Sequence, residues 1–239
     1  MVAATRARAR AAQAPLYTSA NVVALSEANN EPRWLRESRL AAWELYEGMP
    51  MPGRSDEAWR RTDYRGIHWD EAGRWIVAPR TDKSVVPAEN LEALVEGKQG
   101  GFIVFVDGKL VHYELDETLA AQGVVFSDLL TAVTEHEDLV RPRLMTKAVQ
   151  PHEGKFAALH GALWTHGVFL YVPRNLAAEL PIHVVMYTSQ PGATLGHVLI
   201  AVEENAQATV LVDYLSAASE EQSLYAGATE LLVGDGANL

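Results

Sequence analysis

The chain has 239 residues, a formal net charge of −11 and no cysteine. The lack of cysteine excludes disulfides, thiolate nucleophiles and Cys-ligated metal, and the negative charge opposes general affinity for nucleic acid or anionic membranes, because phosphate groups reward Lys and Arg. The 48% of hydrophobic residues predict a sizeable core, and since no apolar stretch approaches the roughly 18 residues of a membrane span, we predict a cytoplasmic protein without a membrane partner.

The first segment, residues 1–16, is predicted to be a disordered tail. It carries arginines among alanines and no acidic residue, as a transit peptide does, but it lacks serine. An unordered tail is therefore the favoured interpretation. Residues 17–150 are predicted to form an N-terminal α/β region, which begins with a short helix from Thr18 to Asn29.

The clearest helix signal of the chain lies between Asn30 and Gly48. Asn30 is a suitable N-cap residue, Pro32 suits the first turn, and Gly48 followed by Pro50 ends the helix. The apolar side chains that share one helical face are Trp34, Leu35, Ala41, Ala42, Leu45 and Tyr46.

Two further apolar residues of this helix, Leu40 and Trp43, fall outside that stripe. They indicate a second contact, either with a partner chain or with a neighbouring loop of the same domain. The neighbouring loop is the favoured explanation.

The segment at residues 56–64 combines charge with aromatic rings. Arg60 and Arg61 beside two aromatic residues allow stacking on a nucleobase. An exposed, ion-paired turn with buried rings explains the same residues and is favoured. A weak helix signal follows at residues 85–97.

A β-hairpin is predicted next. Residues 102–106 and 109–113 are rich in β-branched and aromatic side chains, and the Asp107-Gly108 pair between them is the strongest two-residue turn signal. A further strand is expected at residues 124–126.

The following residues lead into the last third of the chain. Ser127 is expected to cap an amphipathic helix. The charged residues 135–151 are predicted to connect two domains, and a last helix is predicted over residues 155–164. Residues 151–239 are predicted to be the second domain, the start of a parallel β-helix core.

This domain contains a repeat of alternating apolar residues. The three copies are 168–172, 198–202 and 229–233. Each copy is followed by a residue type that tolerates positive φ. These residues are Asn175, Asn205 and Gly236. A second strand at 182–186 recurs at 210–214.

The repeat predicts the fold class. Alternation with period 2 favours strands, and a fixed period is typical of a solenoid, in which each coil buries its apolar face against the next. We therefore predict a mainly β protein, a parallel β-helix preceded by helices and a small hairpin domain. Antiparallel strands of a sandwich are the alternative. Because no capping element precedes Leu239, a truncated N-terminal half is expected.

The eight histidines do not predict a metal site. His160 and His166 share no helical face, and no HExxH or His-x-His pair occurs. Single histidines on strands, such as His183 and His197, are more often satisfied surface or core groups.

Acidic residues do not predict an active site either. Polysaccharide-cleaving β-helix enzymes cluster Asp with Arg or Lys on one sheet face, but Asp213 corresponds to Val185 in the preceding copy and Glu230 to Leu199. Arg174 is the only base of the coils, against eight carboxylates. A charged partner of the coils is therefore expected to be basic.

No other motif predicts a binding site. Glu203 and Glu204 are expected at a solvated corner. The sequence Gly234-Asp235-Gly236 follows a strand instead of opening a helix, so it does not match a phosphate-binding loop. We predict no catalytic, cofactor-binding or metal-binding residue in the chain.

Four stretches together resemble the SufB/SufD family of iron–sulfur cluster assembly proteins. They are Glu31-Pro32-x-Trp34-Leu35 with Arg39-Leu40, Glu57-x-Trp59-Arg60-x-Thr62-Asp63, Phe156-x-Ala158-Leu159-x-x-Ala162-Leu163, and Gly167-Val168-Phe169-Leu170-Tyr171-Val172-Pro173. The second stretch and the short N-terminal region resemble the SufD branch more than the SufB branch. The resemblance extends from about Pro32 to Leu239.

The resemblance implies a right-handed parallel β-helix, an N-terminal helical region and a C-terminal helical domain that binds the ABC-type ATPase SufC. It implies pairing with a SufB-like subunit through the β-helix. The complex would build a cluster from iron and from sulfur supplied by a cysteine desulfurase, while SufC hydrolyses ATP. The family's functional residues would lie beyond Leu239, so none is assigned here.

The leading hypothesis from the sequence is a SufD-like scaffold subunit that is not an enzyme by itself. One alternative is a carbohydrate-active parallel β-helix enzyme, against which the single base of the coils counts. The other is a plain protein-interaction module that uses the helix at 31–48.

Overall fold

A computed structural model describes residues 17–67 and 98–239. The tail predicted at 1–16 and the weak helix signal at 85–97 lie outside these residues. The helices are α1 (Ser19–Ala28), α2 (Arg33–Gly48), α3 (Glu117–Ala121), α4 (Leu129–Glu135), α5 (Glu137–Val140), the 3₁₀ turn Pro151–Glu153 and α6 (Lys155–Leu163). The strands are β1 (Gly101–Val106), β2 (Lys109–Leu115), β3 (Val125–Asp128), β4 (His166–Val172), β5 (Ile182–Thr188), β6 (Ala193–Thr194), β7 (Gly196–Val202), β8 (Val210–Ser216), β9 (Leu224–Tyr225) and β10 (Ala228–Val233).

Helix α1 confirms the first predicted helix, and its end corrects the start predicted for α2. Asn30 has a φ of 50° and donates its N–H to the carbonyl of Glu27 at 3.1 Å. Glu31 donates to the carbonyl of Ser26 at 3.0 Å. This is the Schellman pattern that ends a helix with a left-handed residue. Asn30 therefore ends α1 and does not cap α2, whose N-cap residue is Pro32.

Helix α2 ends at Gly48 as predicted, but its buried face is rotated from the predicted stripe. Trp43 is only 2% exposed, whereas Leu45 is 38% exposed and Ala41 also faces solvent. Arg39, four residues before Trp43 and on the same face of the helix, is also fully buried. Trp43 packs in the core of this same chain, so a partner contact through Trp43 is wrong.

The predicted hairpin is confirmed as the antiparallel pair β1 and β2. Asp107 and Gly108 join the strands with φ of 49° and 82°, as a two-residue hairpin turn requires. The buried carboxylate of Asp107 also accepts the N–H of Ser189 at 2.9 Å, just beyond β5. β1 pairs in parallel with β5, and β5 pairs in parallel with β8. The hairpin thus extends sheet A, whose strand order is β2-β1-β5-β8.

The strand expected near residue 125 is confirmed as β3, but the cap of the following helix is shifted by one residue. Asp128, and not Ser127, caps α4, because its side chain accepts the N–H groups of Leu130 at 3.0 Å and Thr131 at 3.2 Å. A carboxylate at this position also interacts favourably with the positive end of the helix dipole.

The predicted repeat is confirmed in register. Sheet B has the order β10-β7-β4-β3, and Leu170 pairs with Ile200, which pairs with Leu231, all in parallel. In sheet A, Val184 pairs in parallel with Val212. The antiparallel alternative is therefore wrong for these copies. Within sheet B, only β3, at the far edge, is antiparallel to its neighbour, β4.

The turn residues of the repeat adopt the predicted conformation. Asn175, Asn205 and Gly236 have φ of 60°, 57° and 67°. The side chain of Asn205 donates from Nδ2 to Oδ1 of Asn175 at 3.3 Å. Each copy therefore leaves its strand through the same left-handed turn, directly above the turn of the preceding copy.

The alternation of the strands separates two cores. Val168, Leu170 and Val172 face the interior between sheets A and B, while Phe169 and Leu199 face a second core between sheet B and the helices. Each fully buried side chain of this kind contributes roughly 1.5–3 kcal/mol. The described residues thus combine mixed sheets with a helical layer and form no closed barrel. Within them, no helix has both the length and the apolar character needed to cross a bilayer.

Candidate functional site

A buried row of polar side chains lies between sheet B and the helical layer. Nε2 of His160, on α6, is 3.0 Å from Nδ1 of His197, on β7. Nε2 of His197 is 3.0 Å from Oε1 of Glu230, on β10. The other nitrogen of His160, Nδ1, lies 3.3 Å from the carbonyl oxygen of Ala226. His197 and Glu230 are both 0% exposed and His160 is 5% exposed, so the row is buried.

The carboxylate of Glu230 also holds a segment of backbone. It accepts the N–H of Met145 at 2.7 Å and the N–H of Val149 at 3.2 Å. Both residues belong to residues 141–152, which we call the strap, because this segment crosses sheet B between α5 and α6. Met145 has a φ of 52°, a left-handed conformation that costs a non-glycine residue roughly 1 kcal/mol or more.

The sequence predicted His197 only as a satisfied group, and it considered His160 only for its spacing from His166. His160 and His166, considered together for their spacing, are indeed on different elements, α6 and β4. Burial lowers the pKa of His160 well below its ordinary value, and the neighbouring His197 lowers it further. His160 is therefore held neutral. Gly167 lies opposite His197, and an added Cβ there would come within 2.1 Å of the His197 carbonyl oxygen.

A second histidine–carboxylate pair lies on sheet A. Nε2 of His183 is 2.7 Å from Oδ2 of Asp213, and the Asp213 side chain is 41% exposed. Val185 pairs with Asp213 in register, as expected from the repeat. In the described part of the chain, no group of three or more His, Asp or Glu side chains is arranged to hold a metal ion.

The remaining charged candidates form ion pairs at the corner after the repeated strand. Arg174 pairs with Glu204, and both side chains are exposed. Glu203 pairs instead with Arg143 of the strap. Arg174, the only Lys or Arg in residues 167–239, therefore pairs with Glu204 at a turn and not with Glu230 or Asp213. A carbohydrate-active site receives no support from this arrangement.

The glycines after the third copy also lie in a turn. Gly236 has φ of 67° and follows β10, and no helix begins there among the described residues. The phosphate loop considered in the sequence therefore receives no support.

The family-like stretches meet in the helical layer. Glu31 and Arg39 form an ion pair with side chains 1% and 0% exposed. Arg39 donates from Nη1 to the carbonyl of Ala162 at 3.3 Å. The rings of Trp59 and Phe156 are 4.8 Å apart. Three stretches that are distant in sequence therefore form one contact network.

The segment at 56–64 is an ion-paired turn. Arg60 pairs with Glu57 at 3.1 Å, and Arg65 pairs with Asp63 at 2.5 Å, with exposed side chains. Trp59 and Tyr64 are half-buried. The predicted ion-paired turn is confirmed, while its rings are half-buried and not fully buried as predicted.

The last described strands leave an apolar edge. β8 and β10 are the outermost strands of sheets A and B. Leu211, Tyr214, Leu231 and Val233 on these strands are between 45% and 51% exposed. This edge presents unpaired backbone groups as well as apolar side chains, which is the kind of surface that pairs with another strand.

Two mixed sheets, whose repeated strands pair in parallel and in register, and a helical layer packed on sheet B define the class of the protein as mixed α and β. The sequence matches the family described as SufBD protein N-terminal region over residues 14–184. The chain belongs to the SufB/SufD family.

Individual relatives agree with this assignment. The chain is 33% identical over 221 residues to the iron–sulfur cluster assembly protein SufD of Bacillus subtilis, which covers 90% of this chain and 49% of that protein. It is 29% identical over 224 residues to SufB of the same organism, covering 89% and 47%. A SufBD family protein of Staphylococcus epidermidis is 26% identical over 226 residues, covering 89% and 47%. The chain thus spans about half the length of the curated relatives it matches.

Proposed function

We propose that the chain is part of a SufD-like scaffold subunit for iron–sulfur cluster assembly, without catalytic activity of its own. The observation that carries this proposal is the 33% identity to SufD over 90% of the chain. The burial of the His160–His197–Glu230 row away from solvent agrees with it, because a catalytic group has to reach its substrate.

We propose further that the strands from β4 onward belong to a right-handed parallel β-helix. Two features support this fold. The strands of both sheets pair in parallel between successive copies, and the left-handed turn residues stack at the same position. In such a fold the apolar edge formed by β8 and β10 is covered by a further coil or by a partner.

The partners we propose are a SufB-like subunit and a SufC-like ABC ATPase. The ATPase contact is assigned to the half of the relatives' length that this chain does not span. Iron and sulfur are then the cargo of the complex, ATP is hydrolysed by the partner, and the location is the cytoplasm. The excess of acidic residues on the coils favours a basic partner surface.

The test is co-purification of the full-length protein with both partners. A tagged full-length protein is expected to retain the SufB-like subunit and the ATPase through repeated washes. An unrelated bait of similar negative charge serves as the control, because it reports non-specific ionic capture. Absence of both partners in repeated pull-downs would remove the scaffold proposal.

A further inference from the structure

The dipeptide Asp-Gly occurs twice in the sequence, as Asp107-Gly108 and as Asp235-Gly236. Both pairs lie in turns, and both glycines have a left-handed φ, of 82° and 67°. Aspartate isomerises most readily before glycine, because glycine has no side chain to hinder attack of its backbone nitrogen on the aspartate carboxyl group. The surroundings of each pair therefore decide whether this reaction occurs in the folded chain.

The carboxylate of Asp107 is held in place by hydrogen bonds. Asp107 is 3% exposed, and its Oδ1 accepts the N–H of Ser189 at 2.9 Å. Its Oδ2 accepts the hydroxyl of Ser189 at 2.5 Å and the side-chain amide of Gln190 at 3.4 Å. Cyclisation at Asp107 would break these hydrogen bonds and leave part-buried donors without an acceptor, which is unfavourable.

The carboxylate of Asp235 has no such restraint. Asp235 and Gly236 are both exposed to solvent. Within residues 17–67 and 98–239, no hydrogen bond or ion pair involves the Asp235 side chain. Its carboxyl group is therefore able to rotate towards the nitrogen of Gly236 without losing a contact.

The attacking nitrogen is also without a hydrogen bond. In the first two copies of the repeat, the turn residue donates its N–H to the next copy. Asn175 donates to the carbonyl of Glu204 at 3.0 Å, and Asn205 donates to the carbonyl of Asp235 at 2.9 Å. The equivalent N–H of Gly236 has no acceptor in the part of the chain that the structure describes. Attack by this nitrogen therefore breaks no hydrogen bond of its own.

We propose that Asp235 is a site of spontaneous isomerisation to isoaspartate in the folded 239-residue chain, whereas Asp107 is protected. The nitrogen of Gly236 bonds to Cγ of Asp235, and the amide hydrogen leaves with the hydroxyl group of the carboxylic acid as one water molecule. The product is a five-membered succinimide. Water then opens this ring. Breaking the bond to the original main-chain carbonyl gives isoaspartate, and breaking the new bond restores aspartate.

Isomerisation alters the stacking of the third turn on the second. The main chain gains one methylene group at Asp235, and the carbonyl that accepts the N–H of Asn205 becomes a carboxylate outside the main chain. The hydrogen bond from Asn238 to the carbonyl of Ala206, of 2.9 Å, lies just beyond this point. We expect both hydrogen bonds to be lost in the isomerised chain. This inference is independent of the scaffold proposal.

The test follows the unaltered folded chain during storage for weeks at physiological temperature. A protease that cleaves on the N-terminal side of aspartate does not cleave before isoaspartate, so peptide mass spectrometry measures each site separately. Cleavage before Asp235 is expected to decline with time, while cleavage before Asp107 stays complete. A folded chain in which Asp235 stays unchanged, or in which Asp107 isomerises as fast as Asp235, overturns the proposal.

Two controls separate the local chemistry from the fold. In urea, which unfolds the chain and releases Asp107, both sites are expected to isomerise at similar rates, and protection of Asp107 that persists in urea contradicts the role of its hydrogen bonds. Asp235→Glu is the matched variant, because it keeps the charge but would need a less favourable six-membered ring. Labelled methyl groups transferred by an isoaspartate-specific carboxyl methyltransferase count isoaspartate in both chains. This signal is expected to disappear in folded Asp235→Glu, and its persistence overturns the assignment to Asp235.

Discussion

Arg39 connects several parts of the helical layer. Its guanidinium is fully buried, pairs with Glu31 at 2.7 Å, and lies 4.3 Å from the ring centre of Trp164. It also reaches the carbonyl of Ala162 on α6. One side chain thus ties α2 to the segment before it and to α6, at the cost of removing two charges from water.

We expect Arg39→Met to lower the free energy of unfolding by about 3–5 kcal/mol, because Glu31 is left charged and unpaired in the interior. Urea unfolding measures the loss. Adding Glu31→Leu to Arg39→Met should recover much of it, since no buried charge remains. Arg33→Met, which breaks the exposed pair with Glu37, is the control and should cost less than about 1 kcal/mol. Equal losses in both single variants would contradict the assignment.

Ionisation of Tyr17 is expected to make the free energy of unfolding depend on pH in alkaline solution. Burial raises the pKa of its hydroxyl, and Tyr46 adds to the shift. The folded pKa therefore lies above the unfolded value of about 10, so stability is fully present below about pH 10 and falls as the pH rises, by at most about 1.4 kcal/mol per pH unit. We expect Tyr17→Phe to flatten this fall, measured by urea unfolding at several pH values. Identical slopes in the two chains would disprove the role of Tyr17.

At the scale of elements, the stacking of the repeated turns can be tested by cross-linking. Arg174 and Glu204 face each other in successive copies, whereas the neighbouring Glu203 contacts Arg143 of the strap. Strands in one sheet are about 4.8 Å apart, within the Cα separation that a disulfide spans.

The chain has no cysteine of its own, so introduced pairs report without interference. We expect Arg174→Cys with Glu204→Cys to oxidise readily, measured by loss of free thiol. Arg174→Cys with Glu203→Cys is the matched control and should remain largely reduced. Similar oxidation of both pairs would argue against the register.

Helix α2 offers a test of its rotated face. We expect Trp43→Ala to lower the free energy of unfolding by about 3–5 kcal/mol, as for other buried aromatic residues. Leu45→Ala, at a position 38% exposed, should change it by less than about 1 kcal/mol. Thermal or urea unfolding compares the two variants. A larger loss in Leu45→Ala than in Trp43→Ala would instead support the buried face that the sequence predicted.

The register of the coils could be predicted because its signals are local. A strand that alternates in polarity and a turn residue with positive φ recur at nearly constant spacing, so the pairing of Leu170 with Ile200 follows from counting. The helix caps were harder to predict. Asn30 and Asp128 are both suitable cap residues, but the path of the chain decides which helix end each of them caps.

The polar interior was missed for a different reason. The burial of Arg39 was not predicted, because arginine is rarely buried and its partner Glu31 lies before the helix. The row of His197 and Glu230 did leave a signal, since both positions face outward from sheet B in neighbouring copies. His160 left none, because its contact with His197 depends on how α6 packs across the sheet.

At the scale of the whole molecule, the apolar edge governs how the chain behaves in solution. Leu231 is 51% exposed on β10, and Leu211 is 45% exposed on β8. Exposed strand edges of this kind pair with other chains.

We expect the 239-residue chain to associate as its concentration rises, measured by sedimentation velocity. Leu231→Lys should reduce this association, because a charge on an edge strand opposes pairing. Met51→Lys, which changes an apolar loop residue that is 43% exposed, should not reduce it. A chain that stays monomeric at every concentration would show that the edge is inert.

The position of the hairpin in sheet A affects how the chain folds during its synthesis. Val106 of β1 pairs with Tyr187 of β5, so the hairpin leaves the ribosome about 80 residues before the strand that supports it, a delay on the order of 4–16 s during synthesis. A lone two-stranded hairpin is at best marginally stable. Long-range pairing of this kind slows folding more than the stacking of successive coils does. The nascent chain therefore passes through an interval in which the apolar strand β1 has its hairpin partner β2 but not its parallel neighbour β5, and chaperones are expected to bind there.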